Sequence, residues 1–90
     1  RDSSTSRGLG DVYKRQVKMT INYQEEIKFI SNKIRELRKE KQMTVQELAY
    51  RCDMERSNMS RIESGRTNLT VKTMCIICNA LNVNLRDIIR

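Results

Sequence analysis

The sequence feature that most constrains the fold is a residue that caps helices well, followed by apolar residues spaced three and four apart. Asn22 and Thr44 are each followed three residues later by Glu, the capping-box arrangement at a helix start. Thr70 and Asn84 precede apolar runs in the same way. Such spacing places apolar side chains on one helix face, and no segment alternates with the period of a strand. The pattern therefore predicts an all-α fold.

Five compact helices with short connections are expected. Their apolar faces would be formed in turn by Ile27, Ile30, Ile34 and Leu37; by Val45, Leu48 and Ala49; by Met59 and Ile62; by Met74, Ile77, Cys78 and Leu81; and by Leu85, Ile88 and Ile89. Gly65 suits the left-handed residue that ends a helix, so the third helix is expected to stop there.

Composition narrows the function. Ninety residues make one small domain. Without His, the chain has no Ser-His-Asp or Cys-His pair and no His-ligated zinc, and it contains no phosphate-binding Gly-rich motif. We therefore expect no enzymatic activity, cofactor or small-molecule ligand. The longest apolar run, Met74–Cys78, is too short to span a bilayer, and no signal-peptide pattern opens the chain, so a cytoplasmic protein is expected.

The second and third predicted helices are separated only by Arg51–Glu55, which is the spacing of a helix-turn-helix. Asp53 falls where the chain must reverse, and Asp tolerates the left-handed conformation better than most residues. The segment Thr44–Asn68, TVQELAYRCDMERSNMSRIESGRTN, resembles the XRE-type (lambda-repressor-like) helix-turn-helix family. The resemblance extends over about residues 30–90 and implies a five-helix domain that binds double-stranded DNA.

Helical geometry predicts which residues of the third helix would read bases. At about 100° per residue from Arg56, Met59 and Ile62 centre the buried face near 270°. The opposite face, and with it the predicted base contacts in the major groove, comprises Ser57, Ser60 and Arg61, with Arg56 at its edge. Asn58 is expected toward the buried flank. The alternative is that the two Arg merely solvate an amphipathic helix.

Phosphate contacts are expected from two other places. The start of the second helix, Thr44, Val45 and Gln46, presents backbone N–H groups. The resemblance adds the loop after the third helix, with Arg66, Thr67 and Asn68. Val45 stands where the family often has Gln, and Glu55 stands at the cap of the third helix, where a carboxylate suits DNA poorly.

Three further expectations concern side chains away from the DNA. The resemblance implies that Arg38 of the first helix pairs with Glu63 at the end of the third. Cys75 and Cys78 have metal-ligand spacing, but they fall inside a helix at apolar positions, so we expect buried core residues and no metal site. A thiol sensor is the alternative. Phe29, Ile76 and Ile89 either cover the core edge or form the interface of a homodimer.

Residues 1–16, RDSSTSRGLGDVYKRQ, show no helical or strand period. Asp11–Gln16 resembles the translation of a transposon end used in preparing sequencing libraries. We expect residues 1–18 to be disordered or artefactual and 19–90 to form the domain; a natural basic arm that touches DNA is the alternative. The chain carries a net charge of +7, and residues 17–90 keep +5, from 14 Lys and Arg against nine Asp and Glu.

These expectations together predict a bacterial or phage transcriptional regulator that binds an operator in the nucleoid. An antitoxin or restriction–modification controller subunit would share this size and pattern. A helical protein-interaction domain that no longer reads DNA is the alternative from another class.

Overall fold

The computed structural model describes residues 20–90, and all regular structure in this part of the chain is helical. Four α-helices and one 3-10 turn follow in chain order: α1 Tyr23–Glu40, α2 Val45–Arg51, α3 Arg56–Glu63, α4 Val71–Leu81 and the 3-10 turn Leu85–Asp87. The predicted all-α class is confirmed for these residues. The predicted segment 1–18 lies outside them. No helix of the described part is long and apolar enough to cross a membrane.

Side-chain caps explain where the helices begin. The Asn22 Oδ1 atom accepts hydrogen bonds from the Gln24 and Glu25 N–H groups at 2.9 and 3.3 Å. The Thr44 Oγ1 atom accepts from Glu47 N–H at 3.0 Å, and the Thr70 Oγ1 atom accepts from Thr73 N–H at 3.1 Å. Each cap occupies a first-turn N–H that has no partner within the helix. Three of the four predicted helix starts are confirmed, and the fourth, at Asn84, begins a 3-10 turn.

The predicted fifth helix is wrong, because only the 3-10 turn forms there. Leu85 and Ile88 are three residues apart, so a single 3-10 turn already brings them to the same side. Ile88 is fully buried, whereas Ile89 is 40% exposed. The Asn84 N–H donates to Asp87 Oδ2 at 2.8 Å and closes the turn. Apolar spacing over five residues does not distinguish such a turn from a helix.

One apolar core joins all of these elements. Its buried members are Ile34, Met43, Leu48, Ala49, Cys52, Met59, Ile62, Ile77, Cys78, Leu81 and Ile88. The prediction that Cys75 and Cys78 are both core residues holds only for Cys78, since Cys75 is exposed. On a helical wheel the core face of α4 is centred near Leu81 and Cys78 lies toward its edge. Cys75 lies about 60° beyond Cys78 and so falls outside the core face.

Within residues 20–90, four residues adopt positive φ where the chain changes direction. Asp53 (58°) and Gly65 (79°) are at the places where the sequence predicts the left-handed conformation. Gln42 (59°) and Asn82 (59°) were not predicted. Asn82 follows α4 directly and is a residue type common at such helix ends, whereas Gln42 is not.

Candidate nucleic-acid interface

The turn between α2 and α3 is held by backbone hydrogen bonds and by two side chains. The Met54 N–H donates to the Ala49 carbonyl at 2.8 Å, and the Asp53 N–H donates to the Tyr50 carbonyl at 3.0 Å. Cys52 is buried on one side of the turn, and Met54 packs partly buried against the core on the other. Because the turn is anchored in this way, α2 fixes the direction of α3.

The two faces of α3 differ sharply in chemistry. Met59 and Ile62 are almost completely buried, and the carboxylate-bearing Glu63 is buried beside them. The remaining residues of the helix are exposed, and they are small or cationic: Arg56, Ser57, Asn58, Ser60 and Arg61. All four residues predicted to read bases are therefore at the surface. This exposed set is called the α3 polar face below.

Asn58 is a correction to the sequence-based interpretation, which turned it toward the buried flank. It is exposed. The buried face had been centred on Met59 and Ile62 alone, near 270°. Glu63, at about 340° on the same helical wheel, is also buried and moves that centre to about 290°. Asn58, at about 200°, then lies roughly a right angle away from it. Burial of a Glu is rare unless the group is paired. The expected pairing of Glu63 with Arg38 was therefore the signal in the sequence that Glu63 is buried.

Arg38 and Glu63 form a buried, two-pronged ion pair between α1 and α3. Arg38 Nε donates to Glu63 Oε2 at 2.8 Å, and Nη2 donates to Oε1 at 3.1 Å. Arg38 Nη1 also donates to the Met43 carbonyl at 2.7 Å. One guanidinium thus joins α1, the α1–α2 connection and the end of α3. The two side chains lie within hydrogen-bonding distance, as the resemblance implies.

The candidate phosphate contacts are distributed over two surface segments. Thr44 and Gln46 are exposed at the start of α2, while Val45 is partly buried against the core and leaves only its backbone for an external group. In the loop after α3, Arg66 and Asn68 are exposed. Thr67 differs from the prediction, because its hydroxyl oxygen is buried and has no hydrogen-bond partner among the described residues. That oxygen is not presented to a ligand at the surface.

Glu55 precedes α3 and is exposed, but its side chain makes no capping hydrogen bond. Its charge lies near the positive end of the α3 dipole, which is a favourable position for an anion. Asp53 and Glu55 are the two acidic residues of this turn, and Glu55 directly precedes the α3 polar face in the sequence. It therefore opposes, locally, the cationic character of that face.

The cysteines offer little chemistry to this surface. Burial raises the pKa of the Cys52 thiol to about 11. Burial, with smaller contributions from Cys75 and Asp87, also raises the pKa of Cys78. Both thiols are therefore protonated and unreactive at neutral pH. Within residues 20–90, no three His, Cys, Asp or Glu side chains gather to hold a metal ion.

Two short helices joined by an anchored turn, the second with a polar outer face, define a helix-turn-helix protein. Comparison with known families agrees: the model of the HTH_3 helix-turn-helix family matches residues 34–88. The chain belongs to this family. No curated protein sequence matches it significantly.

Solved structures with the same fold include regulators of several kinds. The restriction-modification controller protein C.Esp1396I is 33% identical, with a TM-score of 0.63, over 71% of this chain and 80% of that one. The controller C.AhdI from Aeromonas hydrophila is 23% identical, with a TM-score of 0.68, over 71% and 97%. The clp gene regulator ClgR from C. glutamicum is 24% identical, with a TM-score of 0.67, over 69% and 80%. The last two show similarity of fold alone.

Proposed function

We propose that this chain is a transcriptional regulator that binds double-stranded DNA sequence-specifically, with α3 in the major groove. The observation that carries the proposal is the α3 polar face. Small Ser side chains allow close approach to base edges, and an Arg guanidinium matches guanine O6 and N7 with two donors. Because the N-terminal residues of such a helix meet the bases, Arg56 and Ser57 are base-reading candidates together with Ser60 and Arg61. The exposure of Asn58 adds an amide suited to adenine.

The Arg38–Glu63 pair supports this function by positioning α3. A recognition helix that rocks relative to the domain would blur its base contacts, and the two-pronged pair restricts that motion. The net contribution of the pair to stability, relative to two apolar side chains in its place, is small, because desolvation of both charges offsets much of their attraction. We assign it an orienting role.

Phosphate contacts would hold the domain in register on the duplex. At the start of α2 the backbone N–H groups of Val45 and Gln46, beside the Thr44 cap, are the donors we propose. In the loop after α3, Arg66 and Asn68 supply side chains, and Thr67 would act only through its backbone. Such contacts supply affinity without sequence preference.

The proposal is tested by selecting bound duplexes from a random pool and comparing affinities for the selected and an unselected duplex. Specific regulators bind their sites about 10³–10⁷ times more tightly than other DNA. A ratio in this range supports the proposal. Equal affinity for both duplexes, or no binding to either, would contradict it and favour the helical protein-interaction domain.

We further propose that the domain acts as a homodimer on two half-sites. Of the three residues considered for the interface, Ile89 is 40% exposed, while Ile76 is partly buried against the core. Phe29 is partly covered by its own chain, because the Arg90 guanidinium lies 4.6 Å from its ring centroid. Exposure of Ile89 therefore supports an interface near the end of α4 and the 3-10 turn. Sedimentation at tens of micromolar, with and without DNA, should give a dimer; a monomer in both conditions contradicts it.

Similarity to C.Esp1396I at 33% identity favours a restriction–modification controller as the second candidate. The two readings share their DNA-binding mechanism and differ in the genes they control. Locating the selected site in the source genome distinguishes them. Genes for a restriction endonuclease or a DNA methyltransferase beside that site support the controller, a toxin gene supports an antitoxin, and unrelated genes support a general regulator.

A further inference from the structure

A groove lies between α1 and the loop that follows α3. Its wider part, of about 520 Å³, is bordered by Gln24 and Lys28 of α1 and by Arg66 and Asn68 of the loop. A narrower part, of about 190 Å³, continues along α1 as far as Arg35. Lys28 and Gly65 border both parts. The two parts therefore form one continuous surface, which is called the α1–loop groove below.

The α1 residue Lys28 lies beside the loop at Gly65. Gly65 has a positive φ of 79°, and a Cβ placed on it would lie 3.6 Å from Lys28 Cγ and 3.8 Å from Ser31 Oγ. The aliphatic stem of Lys28 therefore lies about one side-chain atom away from the loop backbone. Ser31 is 1% exposed, borders the narrower part, and its hydroxyl has no hydrogen-bond partner among the described residues. Buried polar groups of this kind are ordinarily satisfied by water or a ligand.

The charges that border the α1–loop groove leave it positive. Lys28, Arg35 and Arg66 are its cations. Its one bordering carboxylate, Glu63, is engaged by Arg38 through both oxygens. Arg35 donates to the neutral Asn32 Oδ1 at 2.6 Å, which leaves its charge uncompensated. Within residues 20–90, no carboxylate lies within ion-pair distance of Lys28 or Arg66.

We propose that the α1–loop groove binds a backbone phosphate of the DNA duplex, with Lys28 of α1 and Arg66 of the loop as its cations. The inference rests on the proposed function, and it adds α1 to the DNA-binding surface. A helix in the major groove is flanked by phosphates, and the loop that leaves α3 beyond Arg61 is the segment next to them. Lys28 lies beside Gly65, the residue before Arg66, and both cations border the same part of the groove, which is why one phosphate is assigned to the two.

The test uses Lys28→Gln and the matched control Lys33→Gln. Both changes remove one positive charge from α1, but Lys33 is about 140° around the helix from Lys28 and lies 3.6 Å from Glu36. Binding of the full chain to the selected and unselected duplexes is measured by fluorescence anisotropy between about 50 mM and about 200 mM salt. Thermal melting of each variant checks that it is folded.

Loss of one phosphate contact should reduce the slope of log K against log salt by about one unit. The affinity ratio of wild type to Lys28→Gln should therefore change about fourfold over that salt range, equally for both duplexes. Lys33→Gln should leave the slope unchanged, and Lys28→Arg should restore it. If Lys28→Gln and Lys33→Gln behave alike while wild type still prefers its selected duplex, the groove inference alone is wrong. If the wild-type chain binds no duplex, the groove inference and the proposed function are both wrong.

Discussion

Arg38 links α1 to the end of α3 and to the α1–α2 connection. Its guanidinium is buried and uses three nitrogens, two toward Glu63 and one toward the Met43 carbonyl. A buried pair of this kind adds little net stability compared with an apolar pair, but removing one partner leaves the other charge uncompensated. Loss of Glu63 should therefore cost far more than loss of an exposed ion pair.

We predict that Glu63→Gln lowers the free energy of unfolding by about 3–5 kcal/mol, because the Arg38 charge stays buried without its counter-ion. The control is Glu47→Gln, which breaks the exposed pair with Arg51 and should cost about 0.3–0.5 kcal/mol. Urea unfolding of both variants measures the difference. Equal losses of stability in the two variants would show that the buried ion pair matters no more to folding than an exposed one, and would contradict the prediction.

Cys52 should make stability depend on alkaline pH. Burial raises the pKa of its thiol from the ordinary 9.0 to about 11, so the folded state holds the proton more tightly than the unfolded state. That contribution is complete below pH 9 and is lost as the pH rises toward 11. The advantage of wild type over Cys52→Ala should therefore shrink by about 1–3 kcal/mol across this range. Thermal unfolding at each pH tests it, and a constant difference would contradict it.

At the scale of elements, the sequence predicts most of the fold because caps and apolar spacing are local properties. Thr44 and Thr70 predict the starts of α2 and α4, and Gly65 predicts the end of α3. The 3-10 turn was mistaken for a helix because Leu85 and Ile88 are three residues apart, a spacing that brings them to one side in either structure. The faces of α3 were mostly predicted, but the burial of Glu63 depends on Arg38 from another helix, so periodicity within α3 alone misplaced Asn58.

The position of Lys28 beside the loop after α3 also depends on a contact between distant segments. On its own helix Lys28 is one of several exposed cations, and only the fold brings it to the loop at Gly65. No pattern within α1 distinguishes Lys28 from Lys33. Local sequence therefore predicts the helix that is proposed to read bases, while the partners of that helix depend on contacts between distant segments.

Gln42 provides a test of the α1–α2 connection. Its φ of 59° is unfavourable for a residue with a Cβ and costs Gly nothing. We predict that Gln42→Gly raises the free energy of unfolding by about 0.5–1 kcal/mol, that Gln42→Asn raises it less, and that Gln42→Val lowers it. Urea unfolding of the series measures the order. A loss of stability in Gln42→Gly would contradict the left-handed conformation at this position.

At the scale of the whole molecule, base reading and phosphate binding are assigned to different surfaces of one positively charged domain. The net charge of +5 on residues 17–90 favours encounter with any DNA, whatever its sequence. In the proposed mechanism, specificity depends on the α3 polar face, while Arg66 and the α1–loop groove supply affinity. A merely basic surface would lack this division, and every cation would contribute alike.

Comparing Arg61→Ala with Arg66→Ala tests this division most directly, since each variant loses one exposed Arg. Affinities for the selected and unselected duplexes are measured over a range of salt concentrations. Arg61→Ala should cost about 1–3 kcal/mol on the selected duplex and relax the preference at one base position. Arg66→Ala should weaken both duplexes alike and reduce the salt slope by about one unit. If Arg61→Ala weakens both duplexes by equal factors, α3 does not read bases.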